Sequence, residues 1–393
     1  MKLENRQARI DVILMSVAIF LLTLSFFSVK IFALSIVFLL LSYGRLYQVF
    51  GGISFDFRSS IVAVAALLFV SLFSIFHEFY FNYFVKVVAI SLMMILFSGY
   101  FLKFCNRTQF QFFLKFVIVL HSSFFLIQFA VYLASGYFIE FDSYIRDGES
   151  EVLYMSRALD GLSIQIRGTG LFSEPSFYSM SVLPFTVTLM LLDKRISGFA
   201  LIGLGTSLLS LSIAAIAIVA LSCLVYAIAV GLTKREKIIV MVVALVAGPF
   251  FYTIYDLRVN QSIDYNALES RGLIFDEISL RNWSEALLGE GFLWDELYPQ
   301  GILNLNGANI RDSSFYVYLL YCSGYLGLAI FLFAMIKMFG VFSPYLYLLL
   351  CMLLFKHHFI NAMFWIVVFV LYIASIYDIR ALNSEDGNDN SFS

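Results

Sequence analysis

One short segment, residues 167–178, combines residue types that could bind an anion and move a proton. It reads RGTGLFSEPSFY, so Arg167 and Glu174 stand on either side of a glycine-rich turn. Gly168 and Gly170 would let the backbone approach a ligand closely, and the guanidinium group of Arg167 can fork onto a phosphate. Glu174, followed by a proline, would open a helix. The pattern predicts an anionic substrate beside a carboxylate.

The same residues also have a purely structural interpretation. Ser173 could cap the following helix, and the carboxylate of Glu174 could complement the dipole of that helix. Arg167 could then do no more than hold the lipid headgroup interface. The residue pattern by itself leaves both interpretations open.

A second group of charges lies in residues 256–312, which contain arginine but no lysine. The arginines are Arg258, Arg271, Arg281 and Arg311. Arginine presents a rigid donor fork, so this usage fits bidentate recognition of phosphate. Apolar residues at helical spacing from Leu268 to Leu288 predict one amphipathic helix at the membrane surface. Alternatively, Arg281 makes ion pairs with Glu277 and Glu285 on a solvated helix face.

The composition indicates which elements must position these residues. Of 393 residues, 61% are hydrophobic and 13% are charged, whereas soluble proteins carry about 25% charged residues. The apolar material suffices for about 12 crossings of a bilayer. The predicted runs are 12–28, 31–43, 61–76, 84–102, 112–135, 181–192, 196–210, 213–232, 238–255, 313–336, 341–355 and 359–377. The prediction is therefore an all-α polytopic membrane protein.

Two segments, 136–180 and 256–312, are too long and too polar to be turns between spans. Lysine and arginine concentrate in short cytoplasmic loops. With both termini in the cytoplasm, the short outer loops hold only three lysines, Lys30, Lys86 and Lys356. Both long segments then become outer loops of a single integral membrane domain, 1–393. The acidic tail, 384–393, is predicted to be disordered and cytoplasmic.

Several functions are disfavoured by the same sequence. A net charge of -2 gives no reason to expect a nucleic acid partner. The four cysteines form no spaced pair, and the four histidines lack the spacing of metal ligands. Neither long loop contains an Asp-x-Asp motif. We therefore predict a reaction without a metal ion or another cofactor.

The pattern resembles the Wzy-type bacterial polysaccharide polymerases and the related O-antigen ligases. Three segments carry the resemblance: 167–178 before a span, Gly-Glu-Gly-Phe at 289–292 in the second long loop, and 312–328 with Gly-Tyr-Leu-Gly at 324–327. The resemblance implies a GT-C-like membrane glycosyltransferase. Its donor and acceptor would be undecaprenyl-diphosphate-linked oligosaccharides at the outer face of the cytoplasmic (inner) membrane, and a chain-length regulator would be an expected partner.

In such an enzyme a hydroxyl group of the acceptor sugar attacks the anomeric carbon of the donor. Undecaprenyl diphosphate leaves, so the enzyme must stabilise its charge and deprotonate the hydroxyl. We predict that a diphosphate clamp is formed by arginines, namely Arg167, Arg271 and Arg281, with Arg311 in reserve. Glu174 is the first candidate for the general base and Asp312 is the second.

Two other functions stay open at this stage. Ligases commonly carry a histidine before the span with the glycine-rich turn, where Asp312 stands here, and this departure favours a polymerase. An O-antigen ligase would share the donor site and differ in its acceptor. A flippase or transporter of lipid-linked oligosaccharide is less consistent with the chain, because residues 1–190 and 191–393 show no repeat and charge concentrates in the loops.

Overall fold

The computed structural model describes residues 7–26, 28–50, 55–75, 77, 79–147, 167–238, 248, 252, 256, 267–295 and 298–385. Helices account for most of this part of the chain. The helices up to residue 229 are α1 (Gln7–Leu24), α2 (Val29–Phe50), α3 (Phe57–Ser74), α4 (Phe81–Gly99) with a π-helical continuation (Tyr100–Phe104), α5 (Arg107–Ser135), α6 (Pro175–Asp193), α7 (Gly198–Leu209) and α8 (Ile213–Ala229). A short 3-10 turn, Phe141–Tyr144, lies in the first long loop.

Further helices follow in the described residues, three of them within the second long loop. They are α9 (Ala267–Leu280), α10 (Trp283–Leu288), α11 (Gly307–Arg311), α12 (Phe315–Phe339), α13 (Pro344–Met352) and α14 (Ala362–Glu385). An antiparallel hairpin of β1 (Pro299–Gln300) and β2 (Leu305–Asn306) separates α10 from α11, with Pro299 opposite Asn306.

Seven helices of the described chain are long and apolar enough to cross a membrane: Val29–Gln48, Phe57–Ser74, Phe81–Phe104, Arg107–Ser135, Pro175–Asp193, Phe315–Phe339 and Ala362–Ala381. Shorter apolar helices cover Ile10–Leu24, Gly198–Leu209 and Ile213–Ala229. The all-α membrane class is therefore confirmed. The count of twelve spans stays a prediction, and the run predicted at 238–255 lies largely outside the described residues, as does most of the tail at 384–393.

Side-chain caps and proline define several of the helix starts. Asp56 accepts a hydrogen bond from the backbone of Ser59 at the start of α3. Asn106 and Gln109 form a reciprocal capping box at the start of α5. Pro175 occupies the first turn of α6, where its missing N–H group costs nothing. These local signals determine where the connecting segments end.

The helix α6 begins at Pro175, as the Glu174–Pro175 pattern predicted, so the hydropathy-based prediction that the loop 136–180 extends to Met180 is wrong. The prediction failed because the first turns of α6 are rich in serine, which lowers their hydropathy. Ser179 and Ser181 are nevertheless buried, and the Ser179 hydroxyl lies 2.9 Å from that of Ser210. A polar helix start is stable at this position because protein surrounds it rather than lipid.

The two most enclosed spans, α6 and α14, pack against each other in the centre of the bundle. We call the end of the bundle at which α6 and α12 begin the loop end, because both long loops lie there. The opposite end of the bundle contains two ion pairs: Arg107 pairs with Asp378 at 3.2 Å, and Arg45 pairs with Asp11 at 2.5 Å. Both central helices, α6 and α14, begin at the loop end.

The span α12 is broken at Gly324, whose backbone angles (φ 59, ψ -166) are accessible essentially to glycine alone. The end of α10 packs into this break. Glu290 and Gly291 donate backbone hydrogen bonds to the carbonyl groups of Tyr321 and Cys322, at 3.2 and 2.8 Å. A helix interrupted within a membrane needs such partners, and the second long loop provides them.

The single amphipathic helix predicted over 268–288 is wrong. Two helices, α9 and α10, take its place, because the side chain of Asn282 caps α10 in a reciprocal capping box with Glu285. Arg281 therefore lies at the corner between the helices. Of its two expected ion pairs, the one with Glu277 forms, whereas Glu285 is engaged in the cap.

Candidate active site

The two carboxylates predicted as base candidates meet on one lysine at the loop end. The Lys356 ammonium nitrogen lies 3.1 Å from Oε2 of Glu174 and 3.3 Å from Oδ2 of Asp312. The lysine side chain is 19% exposed, while those of Glu174 and Asp312 are 39% and 44% exposed. A largely buried cation thus holds two carboxylates that solvent can reach. We call these three residues the carboxylate–lysine cluster.

Three parts of the chain converge to form this cluster. Glu174 is the residue immediately before α6, and its carboxylate also accepts a hydrogen bond from Ser176 at 3.0 Å. Asp312 lies between α11 and α12. Lys356 lies between α13 and α14, and the backbone N–H of Phe315 at the start of α12 donates to the carbonyl of Phe355 at 3.0 Å. Both carboxylates therefore lie near helix N-termini, where negative charge is favoured.

The electrostatics of the cluster keep Lys356 charged. Burial lowers the pKa of its ammonium group, but the neighbouring charges of Glu174 and Asp312 more than compensate, and the pKa lies above its ordinary value. One cation and two carboxylates carry a net charge of -1. This charge is partly opposed by other cations of the loop end.

A pair of phenylalanine rings connects Lys356 to a second lysine. The Lys356 nitrogen lies 5.8 Å from the ring centre of Phe177, and the Lys86 nitrogen lies 5.9 Å from that of Phe26. The two ring centres are 5.4 Å apart. His358 packs against Phe26 at the same distance. The two lysines thus flank an apolar platform at the loop end.

The neighbouring histidines are buried and neutral. Burial lowers the pKa of His357 to about 3. Burial also lowers the pKa of His358 well below its ordinary value, and the positive charges of Arg311 and Lys86 lower it further. Neutral imidazoles among these cations avoid adding positive charge to a buried region. Neither ring is exposed enough to meet a substrate in this conformation.

Arg167, the first predicted clamp residue, is buried at the start of a tightly held turn. The amide oxygen of Gln128 on α5 accepts hydrogen bonds from the backbone of Thr169 and Gly170, at 2.8 and 2.9 Å. Gly168 lies so close to Phe125 that a Cβ atom would overlap the ring. The glycines therefore allow close packing on α5.

Arg281 is enclosed by protein groups. Its guanidinium group donates to the carbonyl of Tyr321 at 2.8 Å and lies 4.2 Å from the centre of that ring. It is also 3.7 Å from the carboxylates of both Glu277 and Glu290. Glu277 in turn accepts backbone hydrogen bonds from the turn after β1. With no exposed side-chain surface, Arg281 could contact a diphosphate only after a rearrangement.

Arg311 is buried between two aromatic rings. Its guanidinium carbon lies 4.5 Å from the ring centre of Trp294 and 4.7 Å from that of Tyr83, and it donates to the Trp294 carbonyl at 2.7 Å. It directly precedes Asp312 in the chain, and its positive charge acts on the nearby His358. The last predicted clamp residue, Arg271, lies in α9, and its side chain falls outside the described residues.

The structure therefore brings together Glu174 and Asp312, with Arg311 adjacent, but places Arg281 in a separate buried network. Within the described residues, no group of three or more His, Cys, Asp or Glu side chains could hold a metal ion. The sequence interpretation missed Lys356 and Lys86 as members of the site. Their signal was present, since they are two of the three lysines expected in the short outer loops.

The chain matches no protein-family model, no curated protein and no solved structure.

Proposed function

We propose that this protein is a membrane glycosyltransferase that joins undecaprenyl-diphosphate-linked oligosaccharide repeat units into a surface polysaccharide, as an O-antigen or capsule polymerase. The observation that carries the proposal is the carboxylate–lysine cluster, in which Glu174 and Asp312 come together from the two long loops. Solvent-accessible carboxylates beside cations suit a reaction that removes a proton from a hydroxyl group and releases a diphosphate.

In the proposed reaction Glu174 takes the proton of the acceptor hydroxyl, and Asp312 is the second candidate for this role. Arg167 and Arg271 stay assigned to the diphosphate of the donor, and Arg167, which is buried in the structure, binds it after a local rearrangement. Arg281 and Arg311 contribute positive charge while they hold the second long loop in place, because their guanidinium groups are already engaged by buried protein groups. The resemblance to Wzy-type polymerases supports the nature of both substrates.

The proposed location follows from the same arrangement. Both substrates are lipid-linked, so a site at the loop end of the bundle is accessible to their headgroups while their isoprenoid chains stay in the bilayer. We assign the loop end to the outer face of the cytoplasmic membrane, with both termini in the cytoplasm. A chain-length regulator is the proposed protein partner.

Complementation of a deletion strain tests the proposal. The double variant Glu174→Gln/Asp312→Asn and the single variant Arg167→Ala should insert at normal levels but yield glycan of one repeat unit. Asp147→Asn is the matched control, since Asp147 also pairs with a loop-end lysine, Lys30, at 3.6 Å, and it should leave the polymer ladder unchanged. Polymer of normal length from the double variant would contradict the proposed role of the cluster.

A further inference from the structure

We propose that Lys356 is a diphosphate-binding residue that exchanges its partners during the reaction. In the structure its ammonium group is shared by Glu174 and Asp312. When the lipid-linked donor arrives, its diphosphate recruits Lys356, and Glu174 becomes available to the acceptor hydroxyl. This inference rests on the proposed function and names the group that couples donor binding to the exposure of the base.

The geometry supports exchange over a permanent structural pair. The described contacts of the Lys356 nitrogen are two carboxylates and the Phe177 ring, whereas Arg281 and Arg311 also donate to backbone carbonyls. Its two partners are more exposed than the lysine itself. An ammonium group is a compact charge on a flexible stem, so it can change partners without moving the backbone.

The local charge favours an incoming anion. Lys356, Arg311 and Lys86 give three positive charges around the histidine and phenylalanine platform, against two negative charges from Glu174 and Asp312. A diphosphate carries more charge than either carboxylate, so it competes well for a cation in a partly buried site.

The reaction step follows from this exchange. The acceptor oxygen forms a bond to the anomeric carbon and gives its proton to the carboxylate of Glu174. The bond between the anomeric carbon and the diphosphate oxygen breaks, and its electron pair stays on that oxygen. The diphosphate thereby gains one negative charge, which Lys356 stabilises where it develops. The protonated Glu174 then loses its proton to water.

Direct binding measurements separate exchange from a structural role. The full chain in lipid nanodiscs is titrated with inorganic diphosphate and, separately, with undecaprenyl diphosphate. Lys356→Met should weaken the binding of both by about tenfold or more, because it removes a charge-assisted contact. Glu174→Gln should strengthen binding by about threefold, because it removes a competitor for the lysine. Lys30→Met, the matched lysine control, should bind as the wild type does.

Lys356→Arg keeps a cation at the same position and should retain most of the affinity for diphosphate. This variant distinguishes the loss of the charge from a failure of the substituted protein to fold. Equal binding by the wild type and a monodisperse Lys356→Met variant would overturn the inference while leaving the proposed function intact. Weaker binding by Glu174→Gln would also overturn it. That result would indicate a permanent structural ion pair, in which the loss of either Glu174 or Lys356 disturbs the site. Failure of the wild type to bind undecaprenyl diphosphate would instead refute the proposed function.

Discussion

At the scale of single residues, burial divides the charged side chains of the loop end into two groups. Arg281 is fully enclosed by Tyr321, Glu277 and Glu290. Glu174 and Asp312 are open to solvent by roughly two fifths of their side-chain surface. Removing one partner of an enclosed charge network is costly, because it leaves an uncompensated charge inside the protein. Exposed carboxylates on a lysine remain available for chemistry.

Replacing Arg281 should therefore destabilise the protein. In Arg281→Ala, Glu277 and Glu290 lose their shared cation inside the protein, and we expect a loss of about 3 to 5 kcal/mol in the free energy of unfolding. Thermal unfolding in detergent, followed by tryptophan fluorescence, measures the change. Lys30→Ala removes an exposed ion pair and serves as the control with little effect. Wild-type stability in Arg281→Ala would show that the network does not hold the second loop.

The carboxylate–lysine cluster should contribute stability up to high pH. The pKa of Lys356 lies above its ordinary value of 10.5 in the folded protein. A raised pKa means that the folded state holds the proton more tightly, so the contribution is complete below the ordinary value and is lost as pH rises through the folded value. The stability difference between the wild type and Lys356→Met should be constant between about pH 7 and pH 9 and shrink above about pH 10.5. A difference that disappears near pH 7 would contradict a charged lysine.

At the scale of elements, the fold depends on how the second long loop enters the break in α12. Gly289 and Gly324 lie where the two backbones approach closely. A Cβ atom on Gly289 would overlap the backbone of Cys322, and one on Gly324 would overlap the backbone of Leu287. The hydrogen bonds from Glu290 and Gly291 replace helical bonds at this point. This contact fixes α10 and, through it, Arg281.

Gly324→Ala should therefore release α10 from α12. An alanine at φ 59 is strained, and its methyl group would overlap the backbone of Leu287. We expect faster proteolysis between α9 and α11 and loss of polymer. Gly205→Ala in α7, where a Cβ atom meets nothing within 4 Å, is the matched control and should behave as the wild type does. Unchanged proteolysis of Gly324→Ala would contradict the proposed anchoring.

Helix type and position were predictable from hydropathy, because spans such as α5 and α12 are nearly continuous apolar runs. Two features were less accessible. The serine-rich start of α6 is polar and yet buried, so hydropathy placed it outside the membrane. The corner at Asn282 has a readable signal, an asparagine followed by Glu285, which a search for amphipathic periodicity overlooks.

The site itself was predictable in part. Glu174 and Asp312 could be selected from local patterns next to helix starts, but their meeting on Lys356 depends on the packing of α6, α12 and the segment before α14. Sequence spacing contains no information about such a contact between residues 182 positions apart. The enclosure of Arg281 likewise depends on the break in α12.

At the scale of the whole molecule, the two ends of the bundle differ in their charged residues. In the short connections of the loop end there are three lysines, Lys30, Lys86 and Lys356. The opposite end holds a larger set of cations: Arg45, Arg58, Lys103, Arg107, Lys194, Arg195 and Arg380. This distribution supports the orientation with the loop end outside the cytoplasm.

Cysteine labelling in intact cells tests this orientation. In a variant without the native cysteines, a cysteine at Ser143 or Ser284 should react with a membrane-impermeant maleimide added outside. A cysteine at Lys194 should react only after the membrane is permeabilised. The reverse pattern would place the carboxylate–lysine cluster on the cytoplasmic side and exclude a reaction at the outer face.

The most direct test of the central claim is a gel of surface glycan from cells that lack this protein. The proposed polymerase predicts a single repeat unit attached to the acceptor lipid, because export and ligation continue while the joining of units stops. Restoring the gene should restore the ladder of longer chains. Acceptor lipid without any repeat unit would contradict the account and assign the protein to ligation or to transport of the lipid-linked unit.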